Sequence, residues 1–177
     1  MGTMMLGSCA TLAAGLMTCA PSASVGADAV PISQAAAILH DAQGHEVGHA
    51  TVSTAKDGLD VVLAVSGLPA GTHGAHIHTT GTCDAPDFAS AGGHWNPTGT
   101  HHGSMNPQGP HEGDLPNLMV GTDGKASLRF TLAGATMAGL LDADGAAIVI
   151  HAGPDDLKTD PAGNSGARIA CGVFSAA

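Results

Sequence analysis

Between His73 and Asp114 the chain reads HGAHIHTTGTCDAPDFASAGGHWNPTGTHHGSMNPQGPHEGD, and six of its 11 histidines fall between His73 and His102. His76 and His78 form a His-x-His pair. On a strand, side chains two apart share a face and stand about 6.5 to 7 Å apart along the chain. Both imidazoles can then turn to one ion, each bond about 2.0 to 2.1 Å long, while Ile77 points the other way into the core. His94, His102, His111 and Asp114 form a second group. Three imidazoles and a carboxylate make a closed tetrahedral set, the habit of structural zinc. Neutral imidazole with carboxylate suits a borderline divalent metal such as zinc or copper. His151 ends an apolar run, where a histidine is ordinarily a satisfied core or edge residue. Spacing alone leaves a flexible His-rich surface as the bland alternative for each group.

The elements that must position these residues read as short strands. Ala29 to His40 precedes the turn signal Asp41-Ala42-Gln43-Gly44, and Glu46 to Ser53 follows as its hairpin partner. Leu59 to Leu68 is apolar and β-branched, and Pro69-Ala70-Gly71 breaks it. Gly74 to His78 is a short strand carrying the histidine pair. Thr79 to Gly113 shows no sustained period and is dense in Gly, Pro, Asn and His. A loop of that length is unusual in a compact domain and usually functional; metal bonds and a disulfide can supply the order a hydrophobic core does not. Leu115 to Val120, Ala126 to Leu132, Ala146 to His151 and Ala167 to Phe174 read as strands, with a helical turn at Met137 to Leu141 and a second loop at Gly153 to Gly166. About eight strands with no sustained amphipathic helix predict an all-β antiparallel sandwich or barrel.

The 177 residues predict one domain. Residues 1 to 27 lack any charged side chain and read as an export signal or lipoprotein leader, leaving 28 to 177 as the functional domain. Val25-Gly26-Ala27 is the expected cleavage site; Leu16-Met17-Thr18-Cys19 is a rival, with Cys19 as a lipidated residue. The leader lacks a positive start, because Lys56 is the first basic residue. Cys83 and Cys171 remain after the leader, and two cysteines in an exported domain most often pair. The large core pieces are few: Trp95, Phe88, Phe130 and Phe174, with no Tyr. A net charge of −10 argues against nucleic acid and anionic membrane surfaces as partners.

Four blocks, in order, resemble the signatures of the copper/zinc superoxide dismutases: Gly74-Ala75-His76-Ile77-His78; Ala91-Gly92-Gly93-His94; Gly113-Asp114-Leu115-Pro116-Asn117-Leu118; and Gly166-Ala167-Arg168-Ile169-Ala170-Cys171-Gly172-Val173. The intervals from His94 to His102, His111 and Asp114 match the family pattern, and the resemblance covers residues 30 to 175. It implies a Greek-key, eight-stranded, immunoglobulin-like sandwich or barrel with two long loops. It implies that His76, His78, His94 and His151 hold copper. His94 would bridge as an imidazolate to zinc, with His102, His111 and Asp114 completing the zinc site. It implies a Cys83–Cys171 disulfide, Arg168 over the copper to attract the anion, and Asp155 as the carboxylate linking a copper histidine to a zinc histidine. The implied reaction is dismutation of superoxide to O₂ and H₂O₂, with copper cycling between Cu(II) and Cu(I) and a proton carried by His94. Zinc, as Zn(II), would do no redox chemistry.

The Cys83-to-His94 interval is nearer the bacterial periplasmic form of the family than the animal cytosolic one. The expectation is therefore an exported bacterial enzyme, periplasmic or lipid-anchored at Cys19, acting in antioxidant defence outside the cytosol and able to form a homodimer. The loop from His151 to Arg168 is short, and Lys158 is its one basic residue before Arg168, so steering of an anion must be local or weak. The family interval favours His102 over His101 as ligand. His73 reads as a bystander near the pair, and His40, His45 and His49 as a solvated surface or an auxiliary metal-capture patch. The alternative function is a non-enzymatic copper- or zinc-binding module on the same scaffold; such relatives usually lose a copper ligand or the arginine, and this chain has all of them.

Overall fold

Alternation of small and branched apolar residues with polar ones lays down short antiparallel strands in a computed structural model that describes residues 31–177. The expected leader, with its cleavage site and Cys19, lies outside the described residues. The strands are β1 (Gln34–Asp41), β2 (Glu46–Ala55), β3 (Gly58–Val65), β4 (Gly71–His73), β5 (Ala75–His78), β6 (Leu118–Val120), β7 (Ala126–Ala133), β8 (Ala147–His151), β9 (Arg168–Val173) and β10 (Ser175–Ala176), with a short 3-10 turn at Ala89–Ala91 and one α-helical turn α1 (Met137–Leu140). The main sheet runs β5-β8-β9-β1-β2-β3-β7, with β10 pairing β1, and β4 and β6 form a separate ribbon. Every pairing is antiparallel. The last long strand, β9, inserts between β8 and the first strand, the long return connection of a Greek key. The fold is thus the curled all-β Greek-key architecture expected.

Boundaries differ from the sequence reading where backbone donors are missing. The strand expected from Leu115 starts only at Leu118, because Pro116 has no N–H to give a ladder. The histidine pair's strand begins at Ala75, and His73 falls on the neighbouring β4.

On β1, β2 and β3 every second side chain turns inward: Leu39, Val52, Leu59, Val61 and Leu63 are fully buried. They meet Ile77, Ile148, Ile150, Leu118, Leu140 and Trp95 in one apolar cluster. β8 is buried on both faces. Ile148 and Ile150 enter the main cluster, while Ala147 and Val149 meet Phe88, Ala91 and Cys171 in a second, smaller one. Phe130 departs from the expected core. On the edge strand β7 it remains 37% exposed, because among the described residues no further strand pairs with that edge.

The segment between β5 and β6 is long, yet backbone bonds hold it. Trp95 N–H donates to the Ile77 carbonyl (2.8 Å), Ile77 N–H to the Gly113 carbonyl (2.9 Å), and Gly113 N–H to the Trp95 carbonyl (2.8 Å). Isolated bridges pair His78 with His94 and His76 with Asp114. Both ends of the loop therefore lie along the open edge of β5, which brings the two histidine groups of the sequence together.

Candidate metal centre

β5 presents His76 and His78 on one face, ring centroids 6.3 Å apart, with Ile77 fully buried on the other. His151 ends β8, the strand paired to β5, and His94 arrives on the loop beside His78. Three of the four rings spend one nitrogen on a fixed acceptor, and the fourth, His94, turns its Nδ1 to Asp114. His78 Nδ1–H donates to the Gly92 carbonyl (2.9 Å), His151 Nδ1–H to the Gly166 carbonyl (3.1 Å), and His76 Nε2–H to Asp155 Oδ2 (2.8 Å). The other nitrogens are buried without any partner: His76 Nδ1, His78 Nε2, His94 Nε2 and His151 Nε2. An orphaned buried polar atom costs about 1 to 3 kcal/mol. Four of them, on residues whose donor atoms lie within 4.8 Å of one another, fit the all-imidazole set that suits copper.

The second face of His94 meets the second group. His94 Nδ1 lies 2.8 Å from Asp114 Oδ1, His102 Nδ1 3.1 Å from it, and His111 Nδ1 3.4 Å from His94 Nδ1. Donors at about 2.0 to 2.1 Å from a shared tetrahedral ion stand about 3.3 Å apart, so these spacings already approach a zinc cage. Asp114 is held by its Oδ2, which accepts the N–H groups of Gly103 (2.8 Å) and His111 (3.0 Å). His94 thus offers Nε2 to one set and Nδ1 to the other.

Asp155 joins the two sets. Its Oδ2 accepts from His76 and its Oδ1 from His102 Nε2–H (2.9 Å). Such outer carboxylates fix ring orientation and tautomer. Asn117 holds Asp155 reciprocally: the Asn117 amide donates to the Asp155 carbonyl, and Asp155 N–H donates to Asn117 Oδ1, both 2.8 Å. The sequence reading had Asn117 only as part of a motif and missed this role. His73 stays outside the metal sets, as a bystander should, but its ring has a structural role. That ring is buried, its Nδ1 is 2.7 Å from the carbonyl of His151 and its Nε2 2.9 Å from that of Pro69. It ties the turn after β3 to the strand end carrying His151.

Electrostatics separate the two sets. Burial, against the partial support of Asp155, lowers His76 to about 4, and burial likewise lowers His151 to about 4. Burial also depresses His78, so these rings are neutral lone-pair donors at neutral pH. Burial opposes charge at His102 too, but hydrogen bonds to Asp114 and Asp155 outweigh it and raise the ring to about 9. Burial would raise both carboxyls; their histidine partners instead hold Asp114 and Asp155 well below the usual carboxylate range.

Arg168 pairs with His151 across the β8–β9 ladder. Its guanidinium donates to the carbonyls of Phe88 and Gly92, each at 2.6 Å, so the Gly92 carbonyl serves His78 and Arg168 together. The loop bearing those carbonyls is stapled to β9 by the Cys83–Cys171 disulfide, Cα atoms 5.7 Å apart, and by the buried ring of Phe88. The remaining histidines stay outside these sets. His101 bonds Asp160 (2.7 Å) and His45 bonds Asp41 (2.9 Å). His40, His45 and His49 are exposed, and among the described residues none joins a metal-competent group of three.

Residues 46–174 match the family model for copper/zinc superoxide dismutase. A superoxide dismutase (Cu-Zn) of Caulobacter vibrioides is 43% identical over 147 residues, which is 79% of this chain and 84% of that one. A SOD-like protein from Bacillus subtilis superposes with a TM-score of 0.74 at 41% identity, covering 78% of this chain and 96% of that one. The Cu/Zn superoxide dismutase from Brucella abortus superposes at 0.65 with 31% identity, covering 79% and 98%.

Proposed function

The chain belongs to the copper/zinc superoxide dismutase family, and from that premise we propose how its residues carry out superoxide dismutation. His76 Nδ1, His78 Nε2, His94 Nε2 and His151 Nε2 would hold copper; His94, His102 and His111, through Nδ1, and Asp114 would hold zinc. Bound copper supplies one-electron chemistry by alternating between Cu(II) and Cu(I), and zinc supplies fixed charge without redox chemistry. Arg168 draws the superoxide anion to the copper side. When its Nε2 is not engaged with the metal, His94 would carry there one of the two protons that peroxide needs, and solvent would supply the other. Asp155 accepts from Nε2 of both His76 and His102, which turns Nδ1 of each ring toward its metal set. The supporting observation is the set of four unpartnered buried ring nitrogens, each opposite a nitrogen already spent or shared.

We further propose that the enzyme works outside the cytosol of a bacterium, as a periplasmic or Cys19-anchored protein, defending against superoxide formed there. The Cys83–Cys171 pair supports this, since such disulfides persist in oxidising compartments. A homodimer is the proposed assembly. Cell fractionation and mass spectrometry of the mature amino terminus test location and anchoring; sedimentation tests assembly.

The deciding measurement is elemental analysis of purified protein, with superoxide consumption before and after copper reconstitution. The expected result is about one copper and one zinc per chain with fast turnover. Zinc alone, without activity after copper is supplied, would leave a zinc-stabilised binding module instead.

A further inference from the structure

The loop that holds Arg168 also carries negative charge beside it. Arg168 Nη1 is anchored on the carbonyl of Phe88, and the preceding residue is Asp87. Asp87 Oδ1 accepts the N–H of Ala89 at 3.1 Å, so its carboxylate is fixed on the turn instead of trailing in solvent. Phe88 between them is buried with φ 54, a left-handed conformation that allows little local freedom for a bulky residue. From Thr79 to His94 the loop holds Asp84 and Asp87 and no Lys or Arg. The whole chain has 5 basic and 15 acidic residues.

We propose that Asp87 is a rate-setting residue that weakens the attraction of Arg168 for anions at the copper side, so that this chain takes up its anionic substrate below the rate its own arginine would allow. The inference rests on the reading of Arg168 given under Proposed function. Arg168 and Asp87 form no ion pair within contact distance; the carboxylate acts through space, and it is the charged neighbour that supports the protonated guanidinium against burial. Because both groups border water, one charge removed alters anion binding by about two- to fourfold. The effect must be salt-sensitive, with a screening length of about 30 Å at 0.01 M and about 3 Å at 1 M.

Asp87→Asn removes the charge and keeps an oxygen for the Ala89 N–H; Asp87→Ser does the same with a hydroxyl, and Asp87→Glu keeps the charge. In copper- and zinc-loaded protein, azide affinity is read from the copper absorption band. At about 0.01 M ionic strength both neutral variants should bind azide about two- to fourfold tighter than the parent, the gap should close at about 1 M, and Asp87→Glu should match the parent. The kcat/KM for superoxide should rise in parallel at low salt. Unchanged azide affinity at low salt in a fully loaded neutral variant overturns the proposal. So does a gain that survives 1 M salt, because that marks a displaced Arg168 and not a removed charge. A parent that binds azide but consumes no superoxide overturns the dismutase reading alone, and the azide series still decides the role of Asp87.

Discussion

His102 faces a carboxylate from each of its nitrogens, and the consequence is a proton that zinc must displace. The raised value, about 9, means the metal-free ring is charged at pH 7, and its stabilising contribution is fully present below about 6.5 and lost as pH rises through about 9. In the proposed zinc set the metal would take Nδ1 and expel that proton. Apparent zinc affinity should therefore climb up to tenfold per pH unit between pH 7 and 8.5 and level off above about 9, as read by competition with a chromophoric chelator. A flat profile would mean that His102 is neutral before zinc arrives. Arg168 makes the opposite kind of prediction. It touches no metal-set donor, only the Phe88 and Gly92 carbonyls, so Arg168→Ala should keep full metal content while turnover falls more than tenfold, an effect of the size expected when charge recognition is lost. Unchanged turnover in the fully metallated variant would remove Arg168 from the mechanism.

At the scale of elements, the two loops after β5 and β8 are fastened at few points, and each point is a test. Gly163 has φ 62, and a Cβ there would collide with Asp155 Oδ1 and His102 Nε2. Gly163→Ala should push Asp155 off both rings and weaken metal binding about 10- to 100-fold, the usual cost of losing an outer partner, with the strand signature in circular dichroism intact. Retained affinity would show that Asp155 is dispensable. The disulfide closes a separation of 88 residues; losing it through Cys83→Ser should cost roughly 4 to 5 kcal/mol in the chain-entropy model, less if the unfolded chain keeps structure. Urea unfolding of the metal-loaded protein checks the figure. The same variant loosens the perch of Arg168, so turnover should fall further than copper content.

For the whole molecule, metal binding and folding are one equilibrium, because the donors come from β5, β8 and a loop with little apolar content of its own. Metal held at a thousand times its Kd contributes about 4 kcal/mol, which for a domain of this size is about 8 to 16 °C in melting temperature. Calorimetry before and after chelation should show that loss; an unmoved transition would mean the histidine sets are not metal-bound in solution. Much of this was legible in the sequence. Alternation identified the strands, the His-x-His period put His76 and His78 on one face, and the ordered blocks pointed to the ligand sets and to the cysteine pair. What tertiary structure alone decided lies where distant segments meet. His73 and Asn117 act through backbone carbonyls 78 and 38 residues away, and no local pattern encodes such a pairing. Phe130 looks like core by composition but is left half-covered at a sheet edge, since exposure depends on which strand has no neighbour. The choice of nitrogen on each histidine is likewise tertiary: it follows from which carbonyl or carboxylate occupies the other one, and residue type and spacing carry no record of that.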